Sequence, residues 1–583
     1  MKILTFVKQV PDVNSIGFDP KTNRIIREGV PLMMNSFDKK AVEEALRLKE
    51  KYGAETVVAS LGPPSALAVV NEAMRMGIDK GYLISDPRFG GSDTLATSKI
   101  LSKFASDINP DIILMGKYSL DGETSQVPPE VAVMLSYHFK SSVSKIELNG
   151  REAIIEHENE MGLFSMKITL PALFSVSEKI NKARPIKSEA PDFSSRIERV
   201  DSSKLKIQMT GTEMSPTVVA GTRNMENNRI CEMLENGPDL FSRIAIILRE
   251  SGTSKEEKRK IVKPYISDNR ETILGIALDD SVISQEIASR ITSLADSHGL
   301  NPVMIGNIDP KDLVGMPTAL YYHISSPDLN ASLKGIYDFI LGNRPAYVIF
   351  PSTTRGREIA GTIAGRLNLG LTADCIDLEI KDGRLIQYKP SFGGSIIASI
   401  YSRTKPEMAT VRPGMFRSGL TAEGFPVKEL LVEGYQQEEI TSSSEFPESF
   451  LPLRNSRVVL GIGRGASDKA TIEKVLKLAD LTSASVGASR PVVDMGLIPR
   501  QQQIGLTGYS ISPEVYIAIG ISGMSNHVVG LRYSKKVIAV NRDPKAPIFN
   551  FADYGVVMDA NSFLDGIISA VESRIRPGKT LNQ

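Results

Sequence analysis

The sequence has no tryptophan, two cysteines and five histidines among its 583 residues. Two cysteines, Cys231 and Cys375, cannot build a disulfide scaffold or the four-thiolate ligation of an iron–sulfur cluster. The histidines are scattered, and none stands at metal-site spacing. An excess of one charge is missing too. The 69 basic and 68 acidic residues leave a formal net charge of +1, with no electrostatic footprint for nucleic acid. No apolar run reaches the ~18 residues that would mark a membrane span. Met1-Lys2-Ile3-Leu4-Thr5-Phe6-Val7 reads directly as a first strand, without the layout of a signal peptide or an Arg-rich presequence. What remains is an ordinary globular composition, 41% hydrophobic, with length for about three or four domains.

The most informative stretch runs from Gly461 to Asp559. An apolar run, Val458-Val459-Leu460, leads into the turn Gly461-Ile462-Gly463-Arg464-Gly465-Ala466 and a helical run to about Asp480. Strand, Gly turn and helix make the half-unit that offers backbone N–H groups to a phosphate. The turn fits G-x-G-x-x-G/A, which equally suits a tight turn in any α/β domain. The next strand, Ala484 to Ala488, ends in Ser489-Arg490. An NAD site places an acidic residue there to hold the ribose. Ser-Arg suits a 2′-phosphate, hence an NADP-dependent dehydrogenase, or a cofactor other than a nicotinamide. Polar loop residues then follow each apolar run: Gln503 to Gly508 ahead of Tyr516–Ile519, Gly520 to His527 after it, and Asn541-Arg542-Asp543-Pro544 after Val537–Val540. Such residues just past strand ends stand where open α/β sheets hold ligands.

The ordered set G-R-G, V-G-A-S-R, V-D-x-G, Q-x-G-x-T-G, G-I-S-G-x-x-x-H, N-x-D-P-x-A-P-I-F and A-D-Y-G resembles the flavin domain of the alpha subunit of electron-transferring flavoproteins. The resemblance implies a Rossmann-like FAD-binding domain over residues 455–583. It places the Arg490 guanidinium against the isoalloxazine, where a cation favours the anionic reduced ring. Ser489 and Thr507 match hydroxyls near the flavin N5 and O4 edge, and His527 matches an imidazole near the C2 carbonyl. Gly463, Arg464 and Gly465 match the adenosine end. Gln503, Gly505, Gly508, Ser522, Asn541 and Asp559 match positions holding the ribityl, pyrophosphate or adenosine portions, and Gly520 and Gly523 complete the motif. Leu506 stands where the family often has Gln. No catalytic acid, base or nucleophile and no metal is expected.

Residues 1–200 read as an α/β unit. A helix over Lys39–Lys51 buries Ala41, Val42, Ala45, Leu46 and Leu48, and Ser36 or Asp38 is a candidate N-cap. Strands at Glu55–Ser60, Gly81–Ser85 and Asp111–Met115 alternate with helices, which implies a mainly parallel sheet. The loop from Gly116 to Val127 is small and polar, as in an anion nest or a solvated cap. Its G-K-x-S-x-D-G-x-T-x-Q pattern, with V-K-x-V-P-D, M-N-x-F-D and E-E-A-L-R-L-K-E, resembles the beta subunit of the same family. The resemblance implies a second adenine nucleotide, AMP in simple carriers and FAD in electron-bifurcating members. Asn35, Ser119, Asp121, Thr124 and Gln126 are expected to hold it, with Val7, Lys8, Asp38, Gly116, Gly122, Glu123 and Val127 around them. Pro128 stands where bifurcating members have Gly and removes one N–H.

An internal repeat links this unit to the next. Asn109–Leu114 recurs as Arg344–Ile349. Each copy leads through a polar loop and a helix to a hairpin, turning at Asn149-Gly150 and at Asp382-Gly383. The expected organisation is α/β throughout: two similar parallel-sheet nucleotide-binding units plus the FAD-binding domain. The domains are 1–200, a linker 201–240, an alpha-like unit 241–435 beginning at Ser242–Leu248, a linker 436–454, and 455–583. Cys375 reads as buried filler. Beta and alpha subunits would then be fused in one chain, beta first, as a cytoplasmic electron carrier. It would bind FAD plus a second FAD or AMP. The resemblance implies flavin dehydrogenases or NADH as donors and a quinone oxidoreductase as acceptor. The segment matching the partner-docking loop, Pro185 to Phe193, departs from the family pattern. A non-redox adenine-nucleotide sensor is the alternative from another class.

Overall fold

In the first unit the repeat appears as two sheets of matching strand order. The computed structural model describes residues 1–12, 17–18, 25–26, 31–224, 229–237, 239–252, 260–391, 394, 396–416, 419–445, 453, 456–505 and 508–575. Thr507 and Leu506 lie outside the described residues. The chain divides into two units, 1–224 with 260–446 and 225–259 with 447–583.

In the first repeat the strands run Glu198–Val200, Lys80–Ile84, Glu55–Leu61, Lys2–Phe6, Ile112–Gly116, Ala172–Val176, then the arm His138–Asn149, Glu152–Glu158, Gly162–Thr169. In the second they run Val427–Glu429, Leu320–His323, Asn301–Gly306, Thr272–Ala277, Tyr347–Pro351, Glu407–Val411, Leu371–Cys375. The second arm, Asp377–Lys381, Arg384–Ser391 and Ile396–Ser402, forms its own sheet. Its hairpin turns at Asp382 and Gly383, both at positive φ, as a two-residue loop between right-twisted strands requires. Lys2–Phe6 and Thr272–Ala277 are buried from end to end or nearly so, as parallel strands covered on both faces must be.

The repeats exchange edge strands. Thr217–Asn224, which follows the first repeat, pairs with Ile396–Ser402 of the second. Glu439–Glu445, which follows the second repeat, pairs with Gly162–Thr169 of the first. Each exchange covers an arm edge that would otherwise present unpaired backbone groups. The expected linkers 201–240 and 436–454 are therefore partly strand. Their Ser- and Thr-rich composition reflects exposed edge positions, where polar β-formers suffice.

The domain boundary expected at 241 also moves. Leu240–Gly252 is a helix of the second unit, and its Leu240, Ile244, Ala245 and Leu248 pack with Phe563, Leu564 and Ile567. Phe241 lies 6.1 Å from the Phe563 ring, over Gly566, where an added Cβ would sit 2.2 Å from the Phe241 ring. The second repeat's sheet begins at Thr272. The apolar spacing from Leu240 to Leu248 is helical, and the second unit's core supplies its partners.

The second unit is built on a parallel sheet ordered Glu232–Met233, Tyr554–Val557, Lys536–Asn541, Val515–Ile519, Val458–Ile462, Ser485–Ala488. The helices Lys469–Thr482 and Ala560–Ile575 add their apolar faces to its core. Strand Val458–Ile462 has its chain successor on one side and the third strand on the other. Ligands of open α/β sheets lie at such a switch point, outside the carboxyl ends of the strands.

Candidate functional site

A cavity of about 910 Å³ opens at that switch point. Its volume is at the upper end of the ~300–1,000 Å³ usual for ligand sites. Gly463, Arg464, Gly465, Ser489, Arg490, Gln503, Gly505, Gly520, Ser522, His527, Asn541 and Asp559 all line it. Gly508 and Gly523 do not. They hold turns behind the wall, Gly508 over Gln503 and Gly523, at φ +89, against the backbone of Ile548.

Of the two readings of the Gly-rich turn, phosphate cradle or tight turn, its hydrogen bonds match the tight turn. The Gly463 and Gly465 N–H groups donate to the carbonyls of Ile519 and Gly520, at 2.8 and 3.1 Å, and Ala466 N–H donates to Gly463. They face the neighbouring loop and are not offered to a phosphate. Gly461 serves packing as well: an added Cβ would lie 1.8 Å from the Tyr516 hydroxyl.

Several polar residues are committed inside the protein. Asn541 donates to the Ile521 carbonyl and accepts from Asp543 N–H, bracing the loop after its strand. Asp559 accepts from the N–H groups of Asn561 and Ser562 at the start of Ala560–Ile575. His527 is buried, with Nδ1 3.1 Å from the Ile504 carbonyl and Nε2 2.8 Å from the Tyr516 hydroxyl. Burial lowers its pKa to about 4, with the Ile504 carbonyl pulling the other way. Arg490 pairs with Asp494 at 3.2 Å, and both side chains are more than half exposed. Such a pair is worth only ~0–1 kcal/mol, so Arg490 can turn to a ligand anion at little cost.

A second cavity, of about 670 Å³, lies in the first unit at the carboxyl ends of the first repeat's strands. Val7, Lys8, Asp38, Gly116, Ser119, Gly122, Thr124, Gln126 and Val127 line it. Asn35 does not; its amide donates to the Tyr118 carbonyl and its oxygen accepts from Leu120 N–H, holding the loop from behind. Asp121 instead holds Lys8, at 2.7 Å. Glu123 sits at φ +52 on the turn and Ser125 at φ +57. The Gln126 side chain points away, donating to the Leu371 carbonyl of the second repeat. Asp38 is not an N-cap. Asn35 holds that position, and the buried Asp38 carboxylate accepts from Lys8 N–H at 2.8 Å and Gly116 N–H at 3.1 Å. It ties two strand ends together at the cavity floor. Burial drives its pKa up to about 7 despite these hydrogen bonds and the one with Asn35.

Other wall residues carry no motif. In the second cavity these are Gly62-Pro63-Pro64 and the segment from Ser85 to Asp93, which follow the strands Glu55–Leu61 and Lys80–Ile84. In the first they include Met524 and Met558. The available signal was position: each follows a strand of a parallel sheet.

Comparison with known proteins agrees with this layout. The electron transfer flavoprotein domain matches residues 22–205 and 311–434, one stretch in each repeat. The electron transfer flavoprotein FAD-binding domain matches residues 452–532. The chain is similar to the electron transfer flavoprotein subunit alpha of Thermoanaerobacterium thermosaccharolyticum, 34% identical over 307 residues, covering 50% of this chain and 93% of that protein. It is also similar to subunit beta of the same organism, 36% identical over 238 residues, covering 40% of this chain and 92% of that protein. Protein FixB of Rhizobium meliloti is 37% identical over 252 residues, 42% of this chain and 71% of that protein.

Proposed function

Because the chain belongs to the electron transfer flavoprotein family, we propose that it is a beta-first fusion passing electrons from flavin dehydrogenases of the acyl-CoA dehydrogenase type, or from NADH, to a quinone-linked acceptor. FAD occupies the second unit's cavity in this proposal, and a second FAD or AMP occupies the first unit's. The observation that carries it is the coincidence of the FAD-binding-domain match with the switch-point cavity: Gly463, Ser489, Arg490, Gln503 and His527 lie within the matched residues and line that space.

The donor set fits an anionic dinucleotide. Arg464, Arg490 and Arg542 line the cavity beside the hydroxyl-bearing Ser489 and Ser522. Bound FAD supplies one- and two-electron transfer chemistry. The chain's own task is to orient it, screen its charge and leave it reachable. Arg490, exposed at the start of the short helix Arg490–Asp494, opposes negative charge that accumulates on reduction. His527 has both ring nitrogens engaged and is held neutral, so it supplies shape and polarity without added charge. The same engagement disfavours a dehydrogenase, which needs a side chain free to move a proton to or from an alcohol. Among the described residues no helix is long and apolar enough to cross a membrane.

Extraction and counting of nucleotides from the native protein tests the proposal. One FAD with one AMP, or two FAD, per chain is expected, together with flavin absorbance that bleaches with dithionite. A colourless protein that takes up ATP but no FAD would point to the non-redox sensor.

A further inference from the structure

We propose that Tyr516 is a positioning residue that fixes His527 as a neutral imidazole, protonated on Nδ1, in the wall of the flavin cavity. The role toward the cofactor rests on the flavin proposal; the state of the ring does not.

The argument is one of donors and acceptors. Nδ1 faces the Ile504 carbonyl at 3.1 Å, and a carbonyl only accepts, so Nδ1 carries the hydrogen. Nε2 faces the Tyr516 hydroxyl at 2.8 Å. Tyr516 is fully buried, and among the described residues its hydroxyl makes no other hydrogen bond. If His527 were an imidazolium, both nitrogens would donate, and the buried Tyr516 O–H would have no acceptor among the described residues. With Nε2 as acceptor every group is satisfied. Burial opposes the charged ring in the same direction, holding it at about 4.

The path of the hydroxyl is itself built in. Tyr516, in the strand Val515–Ile519, passes over Gly461 in the neighbouring strand Val458–Ile462. An added Cβ on Gly461 would stand 1.8 Å from the hydroxyl oxygen and 2.3 Å from the ring carbon bearing it. The first glycine of the Gly-rich turn thus serves the Tyr516–His527 contact. Tyr516 is the titratable group in hydrogen-bond contact with the imidazole, and burial pushes it well above its ordinary value. Arg464, Arg490, Asp494, Arg542, Asp543 and Asp559 line the same cavity. In consequence Arg490 acts beside an uncharged histidine throughout the neutral range.

With five histidines in the chain, NMR can follow each ring without cofactor. Nitrogen shifts of His527 in the full-length wild type should show the Nδ1–H tautomer, and its signal should not titrate between pH 5 and 8. A protonated Nε2, or titration near 6.5, overturns the proposal without any variant. Tyr516→Phe should raise the His527 pKa by at least one unit, a tenfold change in its protonation constant, and Gly461→Ala should move it the same way. An unmoved His527 in folded Tyr516→Phe also overturns it. In FAD-loaded protein, Tyr516→Phe should add an inflection to the pH dependence of the midpoint potential, absent from Tyr516→Phe/His527→Asn. Failure to bind FAD would defeat the flavin proposal and leave the tautomer result standing.

Discussion

Gly463 and Gly520 meet so closely that a Cβ on the first would lie 2.1 Å from the carbonyl oxygen of the second. The contact joins the loops at the ends of two adjacent strands, and the Gly465 N–H donates to the same carbonyl. The cavity between those loops depends on this spacing. Backbone cannot yield as a flexible side chain does, so Gly463→Ala must push the loops apart. The expected cost is about 1–3 kcal/mol, as for overpacking a tight core. Loss of FAD on gel filtration should accompany a lower urea midpoint. A Gly463→Ala protein that keeps wild-type stability and full flavin would show that the loops are not coupled.

Arg490→Ala should lower the flavin midpoint potential, because the reduced, anionic ring loses a cation. A fall on the order of 30 mV corresponds to ~1.4 kcal/mol for two electrons. Arg490→Lys should fall less, since the charge stays and the planar fork is lost. Asp494→Asn should move the potential slightly upward by freeing Arg490 from its 3.2 Å partner. Potentiometric titration of the three variants measures this. Equal potentials across the set would remove Arg490 from the redox site.

Asp38 makes the first unit's stability depend on pH. Its carboxyl sits near 3.8 when free and is raised to about 7 by burial. Between those values the folded state holds a proton that the unfolded chain has released. The contribution is therefore complete below about pH 3.8 and is lost as pH rises through about 7. At ~1.4 kcal/mol per unit, its full extent is on the order of 4 kcal/mol. Asp38→Asn cannot titrate, so urea unfolding from pH 5 to 8 should be flatter than in wild type. The ionised carboxylate also lines the second cavity, so AMP affinity should fall above about pH 7. Parallel stability profiles for the two proteins would reject this account.

How far all this was legible in the sequence differs by element. The parallel strands were plain from runs such as Ile112–Gly116, and the matching hairpins from Asn149-Gly150 and Asp382-Gly383. Thr217–Asn224 and Glu439–Glu445 were not, because exchanged edge strands take their partners from the other repeat and show no sustained apolar alternation. Leu240–Gly252 was placed in the wrong unit because its apolar face states that it must be buried and not by what. At the site, motif order picks out Gly463, Arg464, Gly465 and Arg490, which line the cavity, but also Gly508 and Gly523, which stand behind its wall. Side-chain direction was not legible: Asn35, Asp121 and Gln126 are in the expected loop region yet turn to Tyr118, Lys8 and Leu371. The Gly-rich turn shows the same limit, since its pattern fixes a tight approach without saying whether loop or ligand does the approaching.

The two repeats should differ in nucleotide binding, and loop length is the reason. After Ile112–Gly116 ten residues, 117–126, precede the next helix, whereas after Tyr347–Pro351 only Ser352 and Thr353 do. The short connection brings the start of Thr354–Leu367 close to the strand ends, where Thr354 N–H is taken by the Glu160 carboxylate at 2.9 and 3.0 Å. Arg355 and Asp279, both buried, pair at 3.0 Å beside it. A carboxylate from the first repeat thus already accepts from the N–H at the start of that helix. In the first repeat the long loop is pinned open by Lys8 and Asp121. Lys8→Ala should therefore release that loop and lower occupancy of the second nucleotide at least tenfold in affinity, while FAD in the other unit stays. Glu160→Ala should cost a helix cap, about 0.5–2 kcal/mol, and leave nucleotide content at two per chain. Nucleotide counts after denaturation, with urea unfolding of both variants, distinguish the roles. Retention of both nucleotides in Lys8→Ala, or their loss in a folded Glu160→Ala, would reverse the assignment.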